Sequence, residues 1–150
     1  MMPGKMVRLK YGHVIECTEA TRDANGLVTE VQAVQIPDTN SGTPGSDGVK
    51  VNGVITWVGV NDAVPAEVRL YDRLFVEDHL EVGGKDFLEN LNTNSLKVMR
   101  AVVEPSLAAA KADDRLQFER HGYFVADWVD HAAGKLVCNL AVGLKDGWGK

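Results

Sequence analysis

The sequence predicts an all-β protein, either one β-barrel or a pair of them. Short stretches of alternating apolar and polar residues recur along the chain, and turn signals separate them at frequent intervals. The length of 150 residues is enough for one ordinary domain or two small barrels.

Taken in order, VRLKYGHVIEC (7–17) alternates, with Val7, Leu9, Tyr11, His13, Ile15 and Cys17 on one face and the cations Arg8 and Lys10 on the other. Asn25-Gly26 is a hairpin signal, and LVTEVQAVQI reads as the returning strand until Pro37 stops the ladder. DTNSGTPGSDG (38–48) is a polar loop. VKVNGVITWVGV (49–60) predicts a third strand, with Gly53 as a bulge or close-approach point. PAEVRLYDRLFVE predicts a fourth, with Val68, Leu70, Asp72 and Leu74 sharing a face. KDFLENL (85–91) suits a short helix, and PSLAAAK (105–111) a helical turn with Pro105 at its first position. Between and after these come SLKVMRAVVE, RLQFERHGYFVADW and KLVCNLAVGL as strand candidates.

Apolar content of 45% and charged content of 25% are those of a soluble globular protein, and the apolar runs fall far short of the ~18 residues a membrane span needs. MMPGKMVRLK lacks the apolar core of a signal peptide. Cys17 and Cys138 show no C-x-x-C spacing, so reduced thiols in a cytoplasmic protein are expected. A net charge of −5 argues against nucleic-acid binding over the whole surface. The charge is unevenly distributed: residues 11–96 hold 5 Lys+Arg against 14 Asp+Glu, a net −9, while residues 1–10 with 97–150 hold 11 against 7, a net +4. If the two ends meet, they form a surface for an anion.

Most catalytic chemistry is missing. There is no G-x-x-x-x-G-K-[ST], and the glycines of TPGSDG lead into a strand rather than a helix. The 38–48 loop lacks the spacing and terminal Glu of an EF-hand. His13, His79, His121 and His131 show no ligand spacing for zinc, and Glu119 beside His121 is an ordinary strand neighbourhood rather than an acid–base pair. LQFERHGYFVAD (116–127) is the unusual stretch. Strict alternation puts Gln117 and Arg120 on opposite faces, and they converge only if the chain bulges between them.

That stretch and PAEVRLYDRLF (65–75) resemble the C-terminal anticodon-binding region of bacterial-type glutaminyl-tRNA synthetases. The likeness extends in order to PGKMVRLKYGHVIEC, KVNGVITWV, VEPSLAAAK and AVGLKDGWGK, so it covers essentially the whole chain. A glutamyl-tRNA synthetase of the archaeal or eukaryotic kind shares the barrel region, and the barrel itself is like that of ribosomal protein L25. The LYDRLF and QFERxGYF matches favour the glutaminyl type.

The resemblance implies a distal anticodon-binding barrel over residues 1–80, a connecting segment with a short helix over 81–95, and strands of a proximal, incomplete barrel over 96–150. It implies a part of glutamine–tRNA ligase, with ATP and magnesium chemistry in a catalytic domain whose HIGH-like and KMSKS-like motifs are not in this sequence. The chain itself is expected to hold no cofactor, no metal and no catalytic residue. Its implied partner is the anticodon loop of a glutamine-specific tRNA, with no DNA or membrane partner, in an enzyme that is a monomer.

Carried over by position, Gln117 and Arg120 read the middle anticodon base, a uridine. Arg8 and Lys10 lie against the first anticodon position and its backbone, with Lys10, a compact point charge, as a phosphate contact. Thr56 and His13 depart from the usual His and Tyr. Arg69, Asp72 and Arg73 are expected to form a structural Arg–Asp network bracing a turn or seam.

Overall fold

The computed structural model describes residues 2–77 and 86–144. His79, part of the 81–95 segment and the terminal KDGWGK (145–150) lie outside the described residues. The chain divides into two compact units, Met1–Trp57 and Val58–Lys150. The described residues hold nine strands and three short 3-10 helices, so the all-β expectation holds. The strands form two separate sheets, and neither ladder closes into a ring among the described residues.

In the first unit the sheet order is β3-β2-β1-β4. These are β1 (Met6–Leu9), β2 (Val14–Arg22), β3 (Val28–Gln35) and β4 (Val54–Ile55). The alternation over residues 7–17 suggested one continuous strand, but the chain reverses at Lys10–His13. Tyr11 adopts φ 59, and the Leu9 amide donates to the His13 carbonyl at 2.9 Å. A left-handed tyrosine beside a glycine makes a turn there, so β1 pairs antiparallel with β2, Val7 opposite Ile15.

Asn25-Gly26 does mark the next hairpin. Only Gly26 takes positive φ (81), and the Asp23 carboxylate accepts from the amides of Asn25 and Leu27 at 2.9 Å each. This is the three-residue loop closed by a left-handed glycine, not the two-residue type that needs both central residues left-handed. The strand expected over 49–60 shrinks to the two residues of β4, parallel to β1. The small core here centres on Val14 and Cys17, both fully buried, with Thr39 beneath them. Its hydroxyl accepts from the Val14 amide and donates to the Ile36 carbonyl, so burial leaves it no unmet hydrogen bond.

The second unit is a five-stranded sheet in the order β6-β5-β9-β8-β7. The strands are β5 (Val64–Tyr71), β6 (Leu96–Val103), β7 (Arg115–Phe118), β8 (Gly122–Ala126) and β9 (Leu136–Gly143). The two compact units meet in sequence after Trp57, whereas the resemblance implies a distal barrel over residues 1–80. The reason is pairing: β5, expected in the first barrel, runs antiparallel to β6 over its whole length and parallel to β9. Its buried Ala66 and Val68 join Val103, Phe124, Leu136 and Cys138 in one core.

Both helical expectations appear as 3-10 turns. Phe87–Asn90 is capped by the Asp86 carboxylate on the Leu88 amide, and Pro105–Ala109 has proline in its first turn. No helix among the described residues is long and apolar enough to cross a membrane.

Candidate nucleic-acid interface

Arg115–Phe118 and Gly122–Ala126 form an antiparallel hairpin, with Leu116 opposite Phe124 and Gln117 opposite Tyr123. On its inner face Phe118 stacks on Phe124 with centroids 4.5 Å apart. On the outer face Gln117 and Tyr123 are exposed. The sequence pattern pointed to a strand with a bulge inside it, but the interruption is a chain reversal. The His121 amide donates to the Phe118 carbonyl at 2.9 Å, and Arg120 takes φ 66.

A single left-handed residue at the third turn position is the type II pattern, which normally selects glycine or asparagine. An arginine held there costs on the order of 1–2 kcal/mol relative to an ordinary backbone. Such outliers concentrate at ligand-contacting sites. Arg120 is exposed and makes no side-chain hydrogen bond or ion pair among the described residues.

Gly122 explains how the turn closes against β9. With φ 153, a side chain there would meet the Val142 carbonyl oxygen at 2.7 Å and a Leu140 methyl at 2.9 Å. Next to it the β8–β9 register slips: Tyr123 faces Val142 and Phe124 faces Leu140, which leaves Ala141 as an extra, bulged residue. A shallow depression of about 410 Å³ lies here, with Gln117, Tyr123 and Ala141 among its walls.

Arg8 and Lys10 belong to the first unit. The Arg8 guanidinium is half-buried and donates to three carbonyls: Thr39 at 2.6 Å, Ser46 at 2.6 Å and Gly12 at 3.4 Å. It thus ties the 38–48 loop to β1. Lys10 lies in the turn after β1, with its ammonium 5.1 Å from the Tyr11 ring centre. The Trp57 indole donates to the Lys10 carbonyl at 3.1 Å. Tyr11 and Trp57 are both well exposed, so the lysine stands among two accessible aromatic rings.

The Arg–Asp network exists, with different members from those expected. Arg69 pairs with Asp130 at 2.6 Å, Glu67 at 2.7 Å and Asp127 at 3.5 Å. Asp72 instead accepts from the amide of Arg73, 2.7 Å away. The reason is β9: Arg69 faces Asn139 in the parallel register, and the Asn139 amide donates to Asp127 at 2.6 Å. Hydrogen bonds from the Asp130 amide, the Asn139 side chain and the Val129 amide, with the charge of Arg69 beyond them, lower the Asp127 carboxyl to about 2. The guanidinium of Arg69 is correspondingly held charged, by Asp130 first and Glu67 second.

Residues 54–127 match the family described as tRNA synthetases class I (E and Q), anti-codon binding domain. Over that stretch the chain is similar to this family. Among curated relatives, the glutamine–tRNA ligase of Ralstonia pickettii (strain 12J) is 59% identical over 150 residues, all of this chain and 26% of the relative. That of Cupriavidus taiwanensis is 58% identical over the same span, and that of Bordetella avium (strain 197N) 53% identical over 148 residues. The chain therefore spans about a quarter of the length of these ligases.

Tyr123 was not singled out from the sequence. Its signal was present, since a turn centred on Glu119-Arg120 sets the aromatic residue after Gly122 directly opposite Gln117.

Proposed function

We propose that this chain binds the anticodon loop of a glutamine-specific tRNA and reads its middle uridine with Gln117 and Arg120. The observation that supports this reading is their placement on one hairpin: an exposed amide on β7, and an exposed arginine held left-handed in the adjoining turn. RNA sequence is read best on unstacked single-stranded bases, whose edges offer both donors and acceptors. An amide supplies one of each for uracil, and a guanidinium supplies fixed donors for carbonyl or phosphate oxygens.

Lys10 is assigned a phosphate contact near the first anticodon position. Arg8 adds positive charge there and acts through the loop it holds, since its guanidinium is already engaged by three carbonyls. In the whole protein the reading extends to ATP-dependent attachment of glutamine to that tRNA, with ATP and magnesium bound outside this chain, by a cytoplasmic monomer.

The test is binding of the chain to a tRNA-glutamine anticodon stem-loop at two salt concentrations, beside a stem-loop with the middle uridine changed. Binding lost on that single change supports the assignment. Equal, salt-sensitive binding to both leaves only phosphate contacts and removes Gln117 and Arg120 as base readers.

A further inference from the structure

We infer that Tyr123 is the stacking platform for the base whose edge Gln117 reads, and that Val125 and the bulged Ala141 floor the same pocket; this rests on the anticodon reading above.

Register partners in an antiparallel pair share a face, with Cβ atoms ~4.5–5.5 Å apart. Gln117 and Tyr123 are such partners, and so are Arg115 and Val125. The outer face of the hairpin thus presents an amide beside a phenol ring, with an arginine and a valine one pair further along. Tyr123 leaves 48% of its surface exposed although its inner-face neighbour Phe124 is 97% covered. An aromatic ring on a strand paired on both sides yet left open offers a fixed flat face for stacking.

The slip between Tyr123 and Phe124 supplies the space. Because β9 carries one residue more than β8 at that point, Ala141 occupies the floor where a regular ladder has no extra residue. The depression of about 410 Å³ is lined mostly by apolar atoms, and Gln117 and Arg115 are among the residues around it. That is the complement of a nucleobase, which has two apolar faces and a polar edge. A phosphate group needs the reverse, converging cations without an apolar floor. An extended peptide pairing with the β7 edge is the competing occupant, and it needs no aromatic wall.

Stacking on an aromatic side chain also suits the chemistry of single-stranded RNA, because every base has a π face while its edge remains free for readout. The division of labour follows. Tyr123 holds whichever base is splayed into the depression, and Gln117 with Arg120 discriminates among them.

The experiment pairs three proteins, wild type, Tyr123→Leu and Tyr123→Phe, with two stem-loops, one carrying the middle uridine and one an abasic site there. Tyr123→Leu is expected to weaken the uridine loop roughly 5- to 140-fold. Tyr123→Phe, which keeps the ring, is expected to bind as wild type does. The leucine variant should lose nothing further on the abasic loop. An equal loss on both loops overturns the stacking role, as does a loss shared by the phenylalanine variant. Failure of wild type to distinguish the loops removes the anticodon reading itself, a separate outcome.

Should Tyr123→Leu unfold, wild type with a fluorescent uridine analogue that keeps uracil's hydrogen-bonding edge at the middle position decides. Quenching on binding supports stacking, and a probe left bright in the complex overturns it. Competition by an extended peptide that displaces no RNA assigns the edge, not the depression, to peptide.

Discussion

Arg8 donates to the Thr39 carbonyl at 2.6 Å, across 31 residues of sequence, and Thr39 in turn accepts the Val14 amide at 2.9 Å. A residue carried over as an RNA contact is therefore also the bolt of the first unit's loop. Hydrogen bonds to charged groups contribute ~1.5–3 kcal/mol each at most. Arg8→Lys, which keeps the charge but loses the fork, should lower stability to chemical denaturation by about 1–3 kcal/mol. Unchanged stability with weakened RNA binding would make Arg8 a direct contact instead.

Arg120 offers the opposite combination. Glycine relieves its left-handed backbone, so Arg120→Gly should melt no lower than wild type. The same variant should weaken stem-loop binding by about 1–3 kcal/mol, as Arg120→Ala should, by analogy with bidentate base contacts. Undiminished binding by both variants would remove the residue from the interface.

The Asp127 carboxyl, lowered to about 2 against an ordinary 3.8, makes a signed statement about acid stability. A depressed carboxyl binds fewer protons in the folded chain than in the unfolded one. Its contribution is therefore complete above the ordinary value and is lost as pH falls from about 3.8 through about 2. Denaturation of wild type and Asp127→Asn between those limits should converge as the pH drops. Parallel curves would mean the carboxylate is not linked to folding.

Burial raises the Cys138 thiol to about 11, and Cys17 is equally enclosed. Neither should react with a thiol reagent at pH 8 in the native chain, and both should react at once in denaturant. A native thiol titrating within minutes would show local opening of β2 or β9.

The Arg69 cluster separates from its sequence neighbour by a double-mutant cycle. Arg69→Ala with Asp130→Ala should couple by roughly 0.5–3 kcal/mol, and Arg69→Ala with Asp72→Ala should be additive. Coupling to Asp72 would return the expected pairing.

How much was legible follows the range of each interaction. The Asn25-Gly26 hairpin, the Pro105 turn and the helical turn over Phe87–Asn90 are local, and their residues announced them. The reversal at Tyr11 was hidden because alternation continues through it and no signal marks tyrosine as left-handed. The partners of β5 were hidden for another reason: nothing within PAEVRLYDRLF says which strands will flank it. The same blindness sent Arg69 to Asp72 rather than to Asp127 and Asp130, which reach it only through β9. Motif likeness pointed to Gln117 and Arg120 as candidates, but only the register set Tyr123 opposite Gln117.

The parallel pairing of β5 with β9 also dictates an order of events in time. β5 is flanked on both sides in its sheet, yet one of its two flanking strands, β9, is the last of the described strands to be made. A ribosome that has released β5 and β6 has produced a hairpin with an open edge, which stays open until Leu136–Gly143 emerges. The core residues Ala66 and Val68 wait through the synthesis of three further strands for Cys138 to cover them. Completion of the second unit is thus a late, concerted step, and a chain stopped before β9 exposes a sticky, half-built sheet rather than a smaller stable one.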